Sequence, residues 1–262
     1  MEERLRFMRR LFTTIVATAC LLFAHKTMGA ASVADLTQKG DVFYAKLQSA
    51  DALKCYLPAE KIDPNNAQLL VRIAHQYRHL MRDAGAKQEK TRLGMTAVAY
   101  ARRAVSLSPE DPDALLAVAS AYGKLLPLLS TKEQIDDSRI IKSAVDKVIA
   151  LDESNDLAWH VLGRWYLGLA EVSSLKRALA EVAYGKLPTA HFEDAARCFE
   201  KAIRLNPNRL MHYIELGRAY ADMGRTDEAR KLIAKGLAMQ NTEKDDATES
   251  KERGREFLSQ LH

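Results

Sequence analysis

His75 and His79 stand four residues apart in the stretch HQYRH, a spacing that could turn two imidazoles to one face of a helix and begin a zinc site. The glutamate of the hydrolytic H-E-x-x-H pattern is missing and no third ligand stands at a recognisable spacing, so no metal is expected. There is no Gly-rich phosphate loop and no G-x-S-x-G elbow, and no cysteine is placed by spacing beside a histidine. Cys20, Cys55 and Cys198 show no C-x-x-C spacing, which leaves Cys55 and Cys198 as small core-filling residues. No catalytic residue and no cofactor follow, and an enzyme is not expected.

A second chemistry lies in three arginines, Arg78, Arg164 and Arg218, each followed or preceded at helical spacing by apolar and aromatic residues. A guanidinium forks a carboxylate bidentately, so three of them on one surface would receive an acidic or C-terminal peptide. Whether they share a surface depends on the elements that carry them.

Those elements repeat. A helix-ending phrase recurs as AEKIDPNNA at 59–67, AVSLSPEDPDA at 104–114, VIALDESNDLA at 148–158 and AIRLNPNRL at 202–210. In each, Asp63, Ser108, Asp152 or Asn206 offers an N-cap oxygen for the next helix, and Pro64, Pro109 or Pro207 sits where a missing N–H costs least. After each phrase comes an apolar residue, a small one and, three positions on, a tyrosine: Ile73-Ala74-Tyr77, Val118-Ala119-Tyr122, Leu162-Gly163-Tyr166 and Leu216-Gly217-Tyr220. The spacing is helical and one-faced, and the small residues allow two helices to approach closely.

In the last unit Tyr213, Leu216, Gly217, Tyr220, Ala229, Ile233 and Gly236 fall at the positions of a 34-residue tetratricopeptide repeat. The first unit matches through Leu36, Gly40, Phe43, Ala52, Tyr56, Ala59 and Pro64. The middle units carry extra residues, from Tyr77 to Ala97, Tyr122 to Ile140 and Tyr166 to Ala195, which longer helices or ordered inserts must fill. The expected fold is all-α: a tetratricopeptide-like α-solenoid, a right-handed superhelix of five helical hairpins over about 33–66, 67–111, 112–155, 156–209 and 210–240. Residues 241–262 read as a polar linker and a C-terminal capping helix.

In such a stack the inner helices line a concave surface, and the repeat register puts Gln68, Val71, His75 and Arg78, then Leu157, His160 and Arg164, then Met211, Ile214 and Arg218 on it. His75, Arg78, His160, Arg164 and Arg218 therefore make the candidate groove for a protein or acidic peptide segment. Gly40, Tyr77, Tyr122, Trp159, Gly163, Tyr166, Tyr213, Gly217, Tyr220 and Ala229 are read as repeat-packing residues, and Trp165 as packing against the long insert of its repeat.

Of the formal net charge of +5, the first thirty residues hold five basic groups against Glu2 and Glu3, which leaves +2 for the rest. That lacks the clustered basic footprint of a nucleic-acid binder, and none is expected. Leu11 to Ala24 is uncharged and follows Arg4, Arg6, Arg9 and Arg10, with Gly29, Ala30 and Ala31 after it, the layout of a signal peptide over residues 1–31. Fourteen helical residues rise about 21 Å against a hydrocarbon core of about 30 Å, so an N-terminal membrane anchor is the second reading. Cleavage implies an exported protein, periplasmic or secreted, and retention a membrane-anchored, mitochondrial or cytoskeletal one.

Residues 160–207 resemble a known family, the regulators of microtubule dynamics. The resemblance rests on Leu162 to Trp165 (LGRW), on the basic stretch Lys176 to Lys186, on Pro188 to Ala195 and on Phe199 to Pro207, and extends less sharply over 34–240. It implies a tetratricopeptide-like helical domain without enzymatic activity, linked to microtubules, spindle poles or organelle contacts. Tubulin is then a possible partner for a cytosolic chain.

Overall fold

A computed structural model describes residues 31–240 and 247–261. The signal or anchor expected over residues 1–31 lies, apart from Ala31, outside them, as do Cys20 and most of the expected linker. The described residues form twelve α-helices and no strand: α1 (Val33–Tyr44), α2 (Ser49–Ile62), α3 (Ala67–Asp83), α4 (Lys87–Leu107), α5 (Pro112–Leu125), α6 (Thr131–Leu151), α7 (Asp156–Ala170), α8 (Ser174–Tyr184), α9 (Phe192–Leu205), α10 (Leu210–Asp222), α11 (Thr226–Ala238) and α12 (Ala247–Gln260). A 3₁₀ turn, Leu126–Leu128, links α5 to α6. The fold is the expected tetratricopeptide-like α-solenoid.

Five helix pairs pack as hairpins, α1 with α2, α3 with α4, α5 with α6, α7 with α9 and α10 with α11, and α12 packs on the last pair. The extra residues of the middle units go into helix length and one added helix. The second unit lengthens α3 to 17 residues and α4 to 21, the third lengthens α6 to 21, and the fourth inserts α8.

The turn between units differs from the sequence expectation by three residues. Asp63, Ser108, Asp152 and Asn206 end the preceding helix, their N–H groups donating to the carbonyls of Ala59, Ala104, Val148 and Ala202. The N-caps are Asn66, Asp111, Asn155 and Arg209; the first three accept from the N–H groups of Leu69, Asp113 and Ala158. The chain needs two residues to reverse direction, so a side chain before the turn cannot reach the next helix's open donors. The Asp152 and Asn206 side chains instead accept from Ser154 and Asn208 N–H within the turn, the local bond that Asx residues favour.

The core is a chain of apolar clusters. Tyr56, Leu69 and Ile73 join the first two hairpins, Ala97, Leu125, Val145 and Ala158 fill the middle, and Leu167, Phe199 and Leu216 join the fourth and fifth. Alanines and glycines dominate the helix contacts because the backbones lie close. No helix of the described residues is long and apolar enough to cross a membrane.

Candidate binding groove

The inner helices α3, α5, α7 and α10 share one face, and between them lies a cavity of about 620 Å³ closed on one side by Arg253 of α12. Of the ten residues that the repeat register put on the concave surface, seven line it: His75 and Arg78 from α3, Leu157, His160 and Arg164 from α7, and Met211 and Arg218 from α10, while Gln68, Val71 and Ile214 do not, Val71 and Ile214 being buried in the core. Leu116, Leu157, Val161 and Met211 form its apolar wall.

The five polar residues among them are not equivalent. His160 is almost wholly buried, its Nδ1 3.0 Å from Nδ1 of His212 and its ring 5.4 Å from that of Phe199. His212 in turn sits 2.9 Å from the Asp156 carboxylate, which also accepts from Arg209 Nε at 2.6 Å. Burial pushes the Asp156 carboxyl up, but the His212 hydrogen bond and the Arg209 charge hold it below the usual range. This joint ties the fourth hairpin to the fifth beneath the cavity floor. Arg78 is 8% exposed, with Nη2 3.3 Å from Nε2 of His79.

Arg218 pairs with Glu171 and lies over the Phe257 ring at 5.2 Å. Arg164 is exposed and has neither a hydrogen bond nor a close ion pair among the described residues, and its charge acts at a distance on Glu215.

Glu215 is the centre that the repeat register did not single out. It has no exposed surface, and neither oxygen accepts a well-formed hydrogen bond. Arg253 Nη2 stands 3.0 Å from Oε1 and Arg218 Nη1 3.8 Å from Oε2, as charge contacts. Burial drives this carboxyl up, but the combined field of Arg164, Arg253, Arg218 and Lys124 outweighs it and keeps the pKa below the ordinary value. Lys124 closes the ring by pairing with Glu249 of α12 at 2.5 Å. Glu215 was within reach of the sequence, because Met211, Glu215 and Arg218 are spaced i, i+4, i+7 on α10. Arg253 and Glu249 were not, since nothing in the repeat register says which face of a capping helix turns inward.

The residues read as repeat-packing lie at the contacts between helices. A Cβ at Gly40, Gly163 or Gly217 would lie 2.3, 2.7 or 2.5 Å from Tyr56, Phe199 or Ile233, the side chain opposite in the same hairpin. Tyr77 stacks on Tyr100 at 5.7 Å, Tyr166 meets Trp165 edge-on, and Tyr122, Tyr213 and Ala229 are buried. The Tyr220 hydroxyl donates to Glu200, and Trp159 Nε1 donates to the Glu153 carbonyl under Lys201. Trp165 departs from expectation: its Nε1 donates to Ser138 in α6, so it packs on the lengthened third hairpin and not on the insert of its own repeat. His79 turns to Ser49 and the Tyr44 ring while His75 faces the cavity, and no three His, Cys, Asp or Glu residues gather as metal ligands among the described residues.

Helical hairpins stacked on small residues, with inner helices lining one groove, define a tetratricopeptide-like helical-repeat protein. A tetratricopeptide-repeat protein of Thermus thermophilus superposes on 87% of this chain and 100% of its own with a TM-score of 0.65 at 17% identity. MamA of Desulfovibrio magneticus, residues 41 to its end, covers 82% of this chain and 99% of its own at a TM-score of 0.52 and 13% identity. Residues 36–262 match the regulator of microtubule dynamics protein 1-3 family, and the chain belongs to that family. Regulator of microtubule dynamics protein 1 of Caenorhabditis elegans is 26% identical over 56% of this chain and 66% of its own length. The Bos taurus protein of the same name is 25% identical over 80% of this chain and 66% of its own. The matched region thus spans just under two thirds of these relatives.

Proposed function

We propose that this protein is a non-enzymatic scaffold that holds an acidic segment of another protein in the groove bounded by α3, α5, α7 and α10. The observation that carries the reading is Arg164, an exposed guanidinium that makes no hydrogen bond or close ion pair among the described residues, at a cavity that Arg78, Lys124, Arg218 and Arg253 also line. A carboxylate arriving there gains a guanidinium that interacts with Glu215 only through its field and leaves its N–H groups open among the described residues, and the apolar wall gives the rest of the segment something to cover.

The test is fluorescence anisotropy of a labelled glutamate-rich peptide against the full chain, with its glutamine counterpart as control. The acidic peptide binds, salt weakens it, and Arg164→Glu removes binding without shifting the unfolding midpoint. Equal binding of both peptides, or no effect of Arg164→Glu, rejects the groove.

A second reading follows from family membership. Acidic tubulin tails have the chemistry this cavity favours, which makes the chain a microtubule-associated regulator provided it stays in the cytosol. Co-sedimentation with microtubules before and after proteolytic removal of the tails tests it. The N-terminal sequence of the chain from its native host tests the proviso, since a start near Ala31 in an exported fraction excludes tubulin.

A further inference from the structure

Helix α8 is built inside out. Leu175, Leu179 and Val182, at i, i+4 and i+7, make an aliphatic stripe that is 70%, 64% and 90% exposed, and no residue of this helix is buried. The opposite face, Arg177 and Glu181, is the one turned to the protein. Arg177 donates through Nη1 to the Pro188 carbonyl at 2.9 Å and through Nη2 to the Leu169 carbonyl at 3.0 Å, and Glu181 accepts from Leu187 N–H at 3.2 Å. Leu187, just past the helix, is buried and anchors the segment. Rolling the helix to hide its stripe would break all three bonds and turn Arg177 and Glu181 away from their partners, so those bonds hold the apolar face outward.

What covers it is constrained by charge and size. Glu181 leans inward to Leu187 N–H, so the exposed residues of 174–186 include no acid: beside the stripe they are Ser174, Lys176, Ala178, Ala183, Tyr184, Gly185 and Lys186. An eleven-residue helix is about 16 Å long, far too small to supply the roughly 800 Å² per partner of a standard protein interface. The stripe also holds no aromatic ring and no hydrogen-bonding group that would orient a protein partner. Aliphatic residues flanked by lysines are what a liquid, anionic surface accepts, with the side chains in the acyl boundary and the ammonium groups among the headgroups. We infer that α8 is a membrane-docking element that lies in the interface of an anionic bilayer. It is separate from the groove and from the apolar run Leu11–Ala24.

The experiment places an environment-sensitive fluorophore at Val182→Cys in a full-length Cys20→Ser chain, where the remaining Cys55 and Cys198 are buried. Vesicles of phosphatidylcholine alone are compared with vesicles containing about one third phosphatidylserine. The expected result is a blue shift on the anionic vesicles, quenched by shallow lipid quenchers. Binding should weaken about fivefold for each of Lys176→Gln and Lys186→Gln, and the shift should disappear with Leu175→Ser/Leu179→Ser. A chain that floats with anionic vesicles while the fluorophore stays in water overturns the proposal, because the N-terminal run then does the binding. A blue shift without lipid that grows with protein concentration also overturns it, in favour of a second copy covering the stripe.

Discussion

Arg253 on the last helix brings its Nη2 to 3.0 Å from Oε1 of Glu215, a carboxylate with no exposed surface in the middle of α10. Removing one partner of a buried pair leaves the other charge uncompensated, at about 3–5 kcal/mol when nothing else is near. Here Arg218, Arg164 and Lys124 still face Glu215, so Arg253→Ala should cost about 2 kcal/mol, less than that range. Urea unfolding measures it, and hydrogen exchange should show faster opening of α12. An unchanged midpoint would mean that the Lys124–Glu249 pair, the Lys251 bond to the Met239 carbonyl and the packing of Gly254 on Ile214 and Leu237 hold the helix without it.

The same carboxylate predicts an acid response. Its pKa is lowered in the folded protein, so the folded state holds it ionised at pH values where the unfolded chain already takes up a proton. Its contribution is complete above the ordinary glutamate value and is lost as pH falls through the lowered folded value. Glu215→Gln should therefore be less stable than the parent at neutral pH and should show a shallower loss of stability below about pH 4.5. Parallel urea titrations at neutral pH and at pH 3 to 5 decide it, and identical slopes in the acid range would count against the charge-ring account.

Most of the solenoid was legible because each repeat writes its packing into small residues at fixed spacing. Gly163 and Gly217 each face a large side chain of the paired helix, and that requirement shows in the sequence as a small residue three before a tyrosine. The same register brought Arg164 and Arg218 to the cavity, but it also assigned to that surface Val71 and Ile214, which the core buries. The turn was misread at Asp63, Ser108, Asp152 and Asn206, since an Asx side chain serves equally as an N-cap or as the start of a turn. The partner of Lys124 stayed hidden because Glu249 arrives on a helix that packs through Gly254 on Ile214, a contact across 40 residues that no periodicity encodes.

Two glycines of α7 should respond in opposite directions. A Cβ at Gly163 would stand 2.7 Å from the Phe199 ring, whereas one at Gly168 meets nothing within 4 Å. Gly163→Ala should lose about 1–3 kcal/mol to overpacking, while Gly168→Ala should gain up to about 1 kcal/mol from helix propensity. Thermal melts of the two variants test the close approach of α7 and α9, which equal shifts of the same sign would contradict.

Cys198 offers a chemical reading of that same hairpin. Its thiol lies between α9 and α7 beside the apolar core, 5% exposed, and burial pushes its pKa up to about 12, with Asp194 adding to the shift. Attack on a maleimide needs the thiolate and a path for the reagent, and the native fold denies both at pH 8. Labelling should therefore wait for α9 to separate from α7, and its rate should report that opening. Gly163→Ala, by forcing Phe199 outward, should speed labelling at Cys198 while leaving Cys55, in the first hairpin, unchanged. Peptide mapping by mass spectrometry after timed exposure separates the two sites. Prompt labelling of native Cys198 would mean that the fourth hairpin opens without help, and equal acceleration at both cysteines would mean that the solenoid unfolds as one unit.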